Sequence, residues 1–520
     1  MAKAAPTVAV VGAGPSGLSM TKTLKEDGYD VTLYERRSKV GGLWAYSDDT
    51  AHTIALPRTR ANISKFTCGF SDFPMPDKYP LWMTPAEFTE FMHDYAVHFD
   101  FYQNIVFNTS VKQASRNSDD TKWRLDIETN GKAETVEFDK IVFCHGYQTK
   151  AAIPTFEGQD KFEDFKGKRV VVVGLGSTTG DIVPDIMPHA EKVWVSHRRG
   201  ALPFKRVRNG TPVDLNITWR RRQMSQFLQR YAPGLAKFMI DKATNYFATR
   251  MFKLDPAWRL TPVPSVLLTL PGSFEDIMPF LADGRLTSLH GLKRFVGPKS
   301  LEFDDGTVLD DIDAVIFCTG YKADWSVAPF VQTSKPTAHN YNGAPIHRMY
   351  MNLFPPAYWD SCAMLCYSAY GKSNGFSFAD VTSLAISNVW RGVEKLPPRD
   401  EMEQWIDEHQ AWVAGRWKLD QTVDESMVKQ WEFQGWLHKA AGTGMENLGW
   451  GWKGWMFWLK DRKMYNLLNN GVETAHMYRF FETGKRRTWP GAREAILHMN
   501  EVVKNTFPLK DEVVKKYGQL

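Results

Sequence analysis

An α/β fold is predicted in which two separate parallel sheets each carry a glycine-rich turn, with a helical region after them. Three observations predict it. An unbroken β-branched run, Val8–Val11, leads into Gly12, Gly14 and Gly17. A second run, Arg169–Val173, leads into Gly174 and Gly176. Beyond Pro397 and Pro398 the composition shifts to a tryptophan-rich stretch of helical character. Apolar runs without alternation mark strands buried on both faces, as parallel strands are. Strand, glycine turn and helix in that order make a Rossmann-like, dinucleotide-binding unit.

In the first unit Gly12 permits the tight turn, Gly14 lets the backbone approach a pyrophosphate, and Gly17 lets the next helix pack on the strand. The helix opens on Pro15 and Ser16, so its N-terminus faces the phosphate charge. A second apolar run ends at Glu35, 18 residues beyond Gly17, where a carboxylate can accept hydrogen bonds from an adenosine ribose. Gly41 and Gly42 follow, then Leu43 and Trp44, a second point of close approach suited to a cofactor longer than adenosine. This pattern favours FAD at the first site. Its candidate contacts are Gly12, Gly14, Pro15, Ser16, Gly17, Glu35, Arg36, Gly42, Leu43 and Trp44.

Next comes an irregular stretch in which Pro74, Pro76 and Pro80 interleave with Phe70 and Phe73, predicting a rigid aromatic loop. Thr84-Pro85 starts a helix whose apolar positions recur at three and four. Residues 104–143 alternate as strands and close on FCHGY, where Gly146 lets the chain pass a cofactor closely.

In the second unit Gly174 and Gly176 hold the first two glycine positions, Thr179 takes the third, and Gly180 comes one residue late. The following strand ends in His197-Arg198-Arg199, where an NAD site would carry an acid. Guanidinium groups there can pair with a 2′-phosphate, so the second nucleotide is expected to be NADP(H). Candidate contacts are Gly174, Gly176, Ser177, Thr178, Arg198 and Arg199. Residues 210–285 read as helices and loops, with Trp219–Phe252 as the longest amphipathic part and its basic residues on a solvated face. Strands return over 286–318 and end in FCTGY. There Thr319 and Gly320 repeat the earlier device, join the candidate cofactor contacts and mark the return to the first domain. Residues 347–395 are expected to complete the first sheet, with Gly371 and Gly375 flanking a polar loop before a final helix.

The scheme is therefore a discontinuous FAD domain (1–160 and 321–400), an inserted NADP(H) domain with a helical insertion (161–320), and a helical C-terminal extension (401–520). In that extension Trp431, Trp436, Trp450, Trp452, Trp455 and Trp458 crowd together. Such a cluster is expected to pack as core or as a lid over an apolar pocket. Membrane attachment through it is the lesser alternative. The last helix, from Ala492, puts Ala495, Ile496 and Met499 on one face, so it should dock.

Over 520 residues a net charge of +5 is mild, and it does not argue for nucleic acid. Five cysteines without a C-x-x-C pair suggest neither a disulfide framework nor a zinc site, and no metal is expected. Cys362 and Cys366 could share a helix face, but two small buried residues are the better reading. The first strand begins too early to leave room for a signal peptide, and no apolar run is long enough to span a bilayer. A cytoplasmic protein is expected, and the sequence leaves a homodimer open.

With two nucleotide turns in this order, the chain resembles the flavin-containing monooxygenases over nearly its whole length. The matching pieces are GAGPSGL with YERRSKVGGLW, TRANISKFTCGFSDFPMPDKYP, FKGKRVVVVGLGSTTGDI with VSHRRGA, FDDGTVLDDIDAVIFCTGY, MYMNLFPP and RTWPGAREAIL. The late match is similar to the longer eukaryotic type. One segment departs. The family's F-x-G-x-x-x-H signature starts at Phe156 and Gly158, but the chain runs on to Lys168 without a histidine. That bears on how the linker meets NADP(H) and on control of uncoupling. Ser177 and Thr179 also stand where the family often has Asn and a small residue, which bears on nicotinamide binding.

The resemblance implies an FAD-dependent, N,N-dimethylaniline-type monooxygenase. NADPH reduces FAD, the reduced flavin captures O2 as a C4a-hydroperoxide, and a soft nitrogen or sulfur atom of a small molecule takes the distal oxygen. It implies Asn62 as the catalytic residue, a neutral amide that can donate to the peroxide or to NADP without discharging it. Baeyer-Villiger oxygenation of a ketone is the near alternative, since the motif that separates the two groups is the shortened one. An uncoupled NADPH oxidase or a non-catalytic flavin-binding sensor is the reading from another class.

Overall fold

The computed structural model describes residues 4–49, 52–146, 149–151, 165–269, 272–273, 275–322, 324–334, 345–365, 375–420 and 423–509. The linker segment at Phe156 and Gly158, the loop holding Gly371, and Cys366 lie outside them. The chain forms two compact units. Unit one comprises Met1–Thr149, Asp214–Phe227 and Ala323–Phe507, and unit two comprises Lys150–Val213, Leu228–Lys322 and Pro508–Leu520.

In chain order, unit one begins with β1 (Thr7–Val11), α1 (Pro15–Glu26), β2 (Asp30–Tyr34), α2 (Pro85–His98) and β3 (Ile105–Val106). An antiparallel meander follows, β4 (Thr109–Arg116), β5 (Trp123–Thr129) and β6 (Lys132–Phe138), and then β7 (Lys140–Phe143). Unit two carries β8 (Arg169–Val173), α3 (Ser177–Ile186) and β9 (Lys192–Ser196). Helix α4 (Trp219–Tyr231) follows in the chain with its residues up to Phe227 in unit one, and α5 (Pro233–Phe252) belongs to unit two; Pro233, which lacks an N–H, starts the second of them. Then come α6 (Met278–Ala282), β10 (Leu286–Leu289), β11 (Leu292–Gly297), β12 (Ser300–Phe303), β13 (Val308–Leu309) and β14 (Ala314–Phe317). The return to unit one is β15 (Cys362–Met364), α7 (Gly375–Trp390), α8 (Arg399–Trp417), α9 (Gln430–Ala441), α10 (Trp452–Lys460), α11 (Arg462–Asn470) and α12 (Ala492–Thr506).

The first sheet has the order β15-β7-β1-β2-β3 and every pairing in it is parallel. Read from β3, this is the 3-2-1-4-5 order of a doubly wound nucleotide fold, and β10-β9-β8-β14 repeats 3-2-1-4 in unit two. Both faces of each sheet are covered, which is why the strands read as unbroken apolar runs. Val8 and Val10 face Leu18, Phe88 and Phe91, while Ala9 and Val11 face Trp123 and Leu125. In unit two Val170 and Val172 face Val183 and Ile186, and Val171 and Val173 face Phe295 and Phe303. Helix α2 begins where Thr84-Pro85 predicts. Thr84 accepts from the Glu87 N–H, and the Glu87 carboxylate accepts from the Thr84 N–H at 2.7 Å, a reciprocal cap. Phe70 stacks on Tyr95 with ring centroids 3.9 Å apart, so the proline-rich loop is fastened by its aromatics.

The C-terminal helices complete the core of unit one. Phe433, Leu437, Met464 and Met477 join the cluster around α1 and α2. Lys22, fully buried on α1, pairs with Asp72 and, at 2.7 Å, with Glu26; Arg479 reaches Asp72 at 3.3 Å and Glu26 at 3.4 Å. Buried charges are tolerable only when neutralised in this way. Helix α12 buries Ile496 and Met499 with Ala492, leaving Ala495 at the edge. The tryptophan cluster divides: Trp436 and Trp458 pack against the core, whereas Trp450, Trp452 and Trp455 are exposed and form neither core nor lid. Cys362 lies on a strand, not a helix, and the four cysteines among the described residues are buried.

Candidate functional site

Ligands of open α/β sheets bind beyond the carboxyl ends of the strands, where the strand order reverses. In unit one that point lies between β1 and β7. Gly12 follows β1 with φ +100°, and a Cβ there would stand 2.9 Å from the carbonyl oxygen of Cys144, the residue after β7. A Cβ on Gly17 would fall 1.8 Å from the Gly12 carbonyl oxygen, so only glycine lets α1 close on the turn. Gly14 is the N-cap of α1 with no side-chain cap, and Pro15 fills the first helical position. The Gly41-Gly42 loop lies on this turn: the Gly41 N–H donates to the Ala13 carbonyl at 2.9 Å, and a Cβ on Gly42 would be 3.0 Å from Gly14 Cα. The two glycine motifs of the first site therefore meet.

Glu35 is buried after β2, and its carboxylate accepts from the backbone N–H of Ala13 at 2.7 Å and of Arg37 at 2.9 Å. It ties the turn and keeps lone pairs to spare. Arg36 is exposed. Arg37 is buried and donates to the carbonyls of Gly42 at 2.5 Å, Ala45 at 2.6 Å and Thr53 at 2.8 Å, fixing the loop of Leu43 and Trp44. Burial lowers its guanidinium pKa from the usual value. Leu43 is exposed, and Trp44 packs on Phe88 with centroids 4.4 Å apart. Sequence reasoning missed Arg37, because nothing in Glu-Arg-Arg-Ser-Lys separates the buried arginine from the exposed one.

Asn62 is exposed and makes no hydrogen bond among the described residues. The backbone around it is held: the Ala61 N–H donates to Met83 at 3.0 Å and the Lys65 N–H to Leu81 at 2.9 Å. Beneath it, one buried oxygen of Asp214 accepts from the Ser64 N–H at 3.1 Å, the Ser64 hydroxyl at 2.7 Å and the Thr67 hydroxyl at 2.7 Å. Asp214 lies 152 positions along the chain from Asn62, and no local signal marks it.

The second site repeats the device. Gly174 follows β8 with φ +105°, and a Cβ there would stand 2.3 Å from the carbonyl oxygen of Cys318, next after β14. Gly176 caps α3 and has open space where a Cβ would point. Ser177 is exposed and Thr178 half-buried in the first turn. Thr179, at the third glycine position, is fully buried, and its hydroxyl donates to the Gly174 carbonyl at 2.9 Å, so the imperfect match is stabilised from within. After β9 the His197 Nδ1 accepts from the Gly200 N–H at 2.9 Å and Nε2 lies 2.8 Å from Ser288 Oγ. Burial pushes this imidazole down to about 4, so it is neutral and shapes the turn. Arg198 is exposed, and Arg199 donates to Thr269 Oγ1 at 2.7 Å. Thr319 is half-buried and Gly320 exposed, immediately past Cys318. The glycine turn, the two arginines and the Thr319-Gly320 turn thus share the carboxyl edge of one parallel sheet.

Residues 5–520 match the family model described as FMO-like, flavin-binding monooxygenase-like. The chain is similar to monooxygenase aurF of Gibberella zeae, at 33% identity over 95% of this chain and 97% of that protein. It is similar to flavin-containing monooxygenase 5 of Homo sapiens at 29% identity, over 99% and 95%. Among solved structures, S-allyl-L-cysteine S-oxygenase from Allium sativum superimposes with a TM-score of 0.60 at 17% identity, covering 96% of this chain and 99% of that one. Cyclohexanone monooxygenase from Rhodococcus sp. Phi1 bound to NADP+ gives 0.58 at 15% identity, covering 84% and 97%. These two are likenesses of fold. Two glycine turns on two doubly wound sheets, under a family model that runs almost from end to end, place the chain in the flavin-binding monooxygenase-like family.

Proposed function

We propose that the chain is an NADPH- and O2-dependent flavoprotein oxygenase that transfers oxygen to a soft nitrogen or sulfur atom of a small molecule. Unit one takes FAD and unit two NADP(H). The observation that carries this is the repeated edge: a glycine turn beneath a cysteine carbonyl in each sheet, followed by Glu35 after β2 in one and Arg198-Arg199 after β9 in the other. Open space above Gly176 at the start of α3 fits a pyrophosphate in the second unit. The Gly12–Gly17 turn and Gly42 form the corresponding backbone surface in the first.

Bound together, the two cofactors supply the redox chemistry: NADPH gives two electrons, one atom of O2 goes to the substrate and the other leaves as water. The chain's own residues bind and orient. Arg198 and Arg199 pair with a 2′-phosphate, Glu35 accepts from a ribose, and the loop on Asp214 presents Asn62. The Asn62 amide donates a hydrogen bond without releasing a proton, as oxygen transfer in a water-poor site requires.

Nitrogen or sulfur is the first reading, in line with the S-oxygenase whose fold covers 96% of this chain. The cyclohexanone monooxygenase likeness supports a second reading, oxygen insertion beside a ketone carbonyl. The test supplies purified holoprotein with an amine, a thioether and a cyclic ketone while NADPH consumption and product are followed together. N-oxide or sulfoxide equal to NADPH used is expected. Lactone in place of these supports the second reading. Hydrogen peroxide equal to NADPH with no oxygenated product identifies an uncoupled oxidase, and flavin that NADPH does not reduce identifies a sensor.

A further inference from the structure

Helix α10 turns apolar side chains outward. Trp452, Trp455, Met456 and Leu459 recur at i, i+3, i+4 and i+7, so they form one stripe, and they are 76%, 59%, 46% and 68% exposed. The opposite side is already used. Gly454 is buried, and a Cβ there would fall 1.8 Å from the Gly449 carbonyl oxygen; Phe457 packs on Phe481 at 4.9 Å. Trp450 and Phe227, edge to face at 6.1 Å and 51% and 54% exposed, extend the stripe within unit one. Three tryptophans this open leave on the order of several hundred Å² of apolar surface in water, the size at which a patch marks a binding surface.

The rim identifies the partner. Lys453, Lys460, Arg462 and Lys463 are all exposed around the stripe. The acids between residues 446 and 463 are Glu446 and Asp461, and both are engaged, by Lys453 at 2.9 Å and by Arg493 respectively. A two-fold contact with a second copy would set this cationic rim against itself. A nine-residue helix is about 14 Å long, half the thickness of a bilayer core, and no helix among the described residues is long and apolar enough to cross a membrane. Indole rings flanked by lysine and arginine suit a helix lying in the headgroup layer, rings inward and cations on lipid phosphates. We propose that α10 seats the protein on the surface of a membrane rich in anionic lipid, without spanning it.

The test is flotation of the purified flavin-loaded protein with phosphatidylcholine vesicles and with vesicles that also contain phosphatidylserine. The protein should float with the anionic vesicles and be released by salt. The double variant Trp452→Ser/Trp455→Ser should stay at the bottom while keeping its flavin absorbance. Lys460→Glu/Lys463→Glu should lower the bound fraction by about tenfold or more. Failure to float with either vesicle, or flotation unaffected by both variants, overturns the proposal. So does a dimer in light scattering that the tryptophan variant dissolves, which would make a second copy the occupant.

Discussion

Replacing Asp214 with alanine removes three hydrogen bonds that converge on one oxygen: from the Ser64 N–H at 3.1 Å, the Ser64 hydroxyl at 2.7 Å and the Thr67 hydroxyl at 2.7 Å. A bond to a charged acceptor is worth about 1.5–3 kcal/mol, giving a simple sum of about 4.5–9 kcal/mol. The sum overstates the loss, since bonds sharing one acceptor are not additive and the Thr67 hydroxyl already lies 3.4 Å from the Ser64 carbonyl. About 3–5 kcal/mol is the expected cost of Asp214→Ala, and about 1–2 kcal/mol that of Asp214→Asn, which keeps the shape and an acceptor but not the charge. Denaturant unfolding reads the stability. The functional reading is the ratio of hydrogen peroxide to oxygenated product at constant flavin content, which should rise in Asp214→Ala because the Asn62 loop loses its floor. Unchanged stability together with an unchanged ratio would show that Asp214 does not hold this loop.

Four further outcomes are expected. Arg198→Ala with Arg199→Ala should weaken NADPH far more than NADH; equal loss of both, measured as KM, contradicts the 2′-phosphate role. Gly174→Ala adds a Cβ 2.3 Å from the Cys318 carbonyl oxygen at φ +105°, so NADPH binding should fall sharply while flavin stays bound, and intact NADPH titration would refute this. Asn62→Ala should retain flavin and lose coupled product, and full turnover would remove it from the catalytic set. His409 lies between Trp405 and Trp412, at centroid distances of 4.7 and 5.9 Å, with neither ring nitrogen hydrogen-bonded among the described residues, and burial pushes it from 6.5 to about 3. Its folded pKa is the lower one, so its contribution is complete above about pH 6.5 and is lost as pH falls toward 3. His409→Phe should therefore flatten part of the acid limb of stability, and an identical limb argues against it.

What could be read from the residues was local and periodic. Gly12, Gly14 and Gly17 behind a β-branched run, and the paired FCHGY and FCTGY endings, foretold two parallel sheets with a glycine turn each; that each turn closes under a cysteine carbonyl is visible only in the fold. Thr84-Pro85 foretold a helix start that its cap confirms. Partners far apart in sequence stayed hidden. Asp214 meets the Asn62 loop only through the fold, and Arg37 differs from Arg36 only in which way the chain turns after β2. The tryptophans misled for a related reason: composition marks aromatic residues as candidates for burial, but Gly454 decides which side of α10 goes in.

The salt-bridged group of Lys22, Asp72, Glu26 and Arg479 joins the far end of α1 to a residue near the C-terminal end of unit one. Helix α1 begins at the first glycine turn, so its seating there relies on charge balance at its other end. A truncation ahead of Ala475 would take away one of the two cations and leave two carboxylates facing a lone lysine. Such a shortened protein is expected to lose flavin although Gly12, Gly14, Gly17 and Glu35 are all still present, so the tail counts as part of the foundation of the first glycine turn.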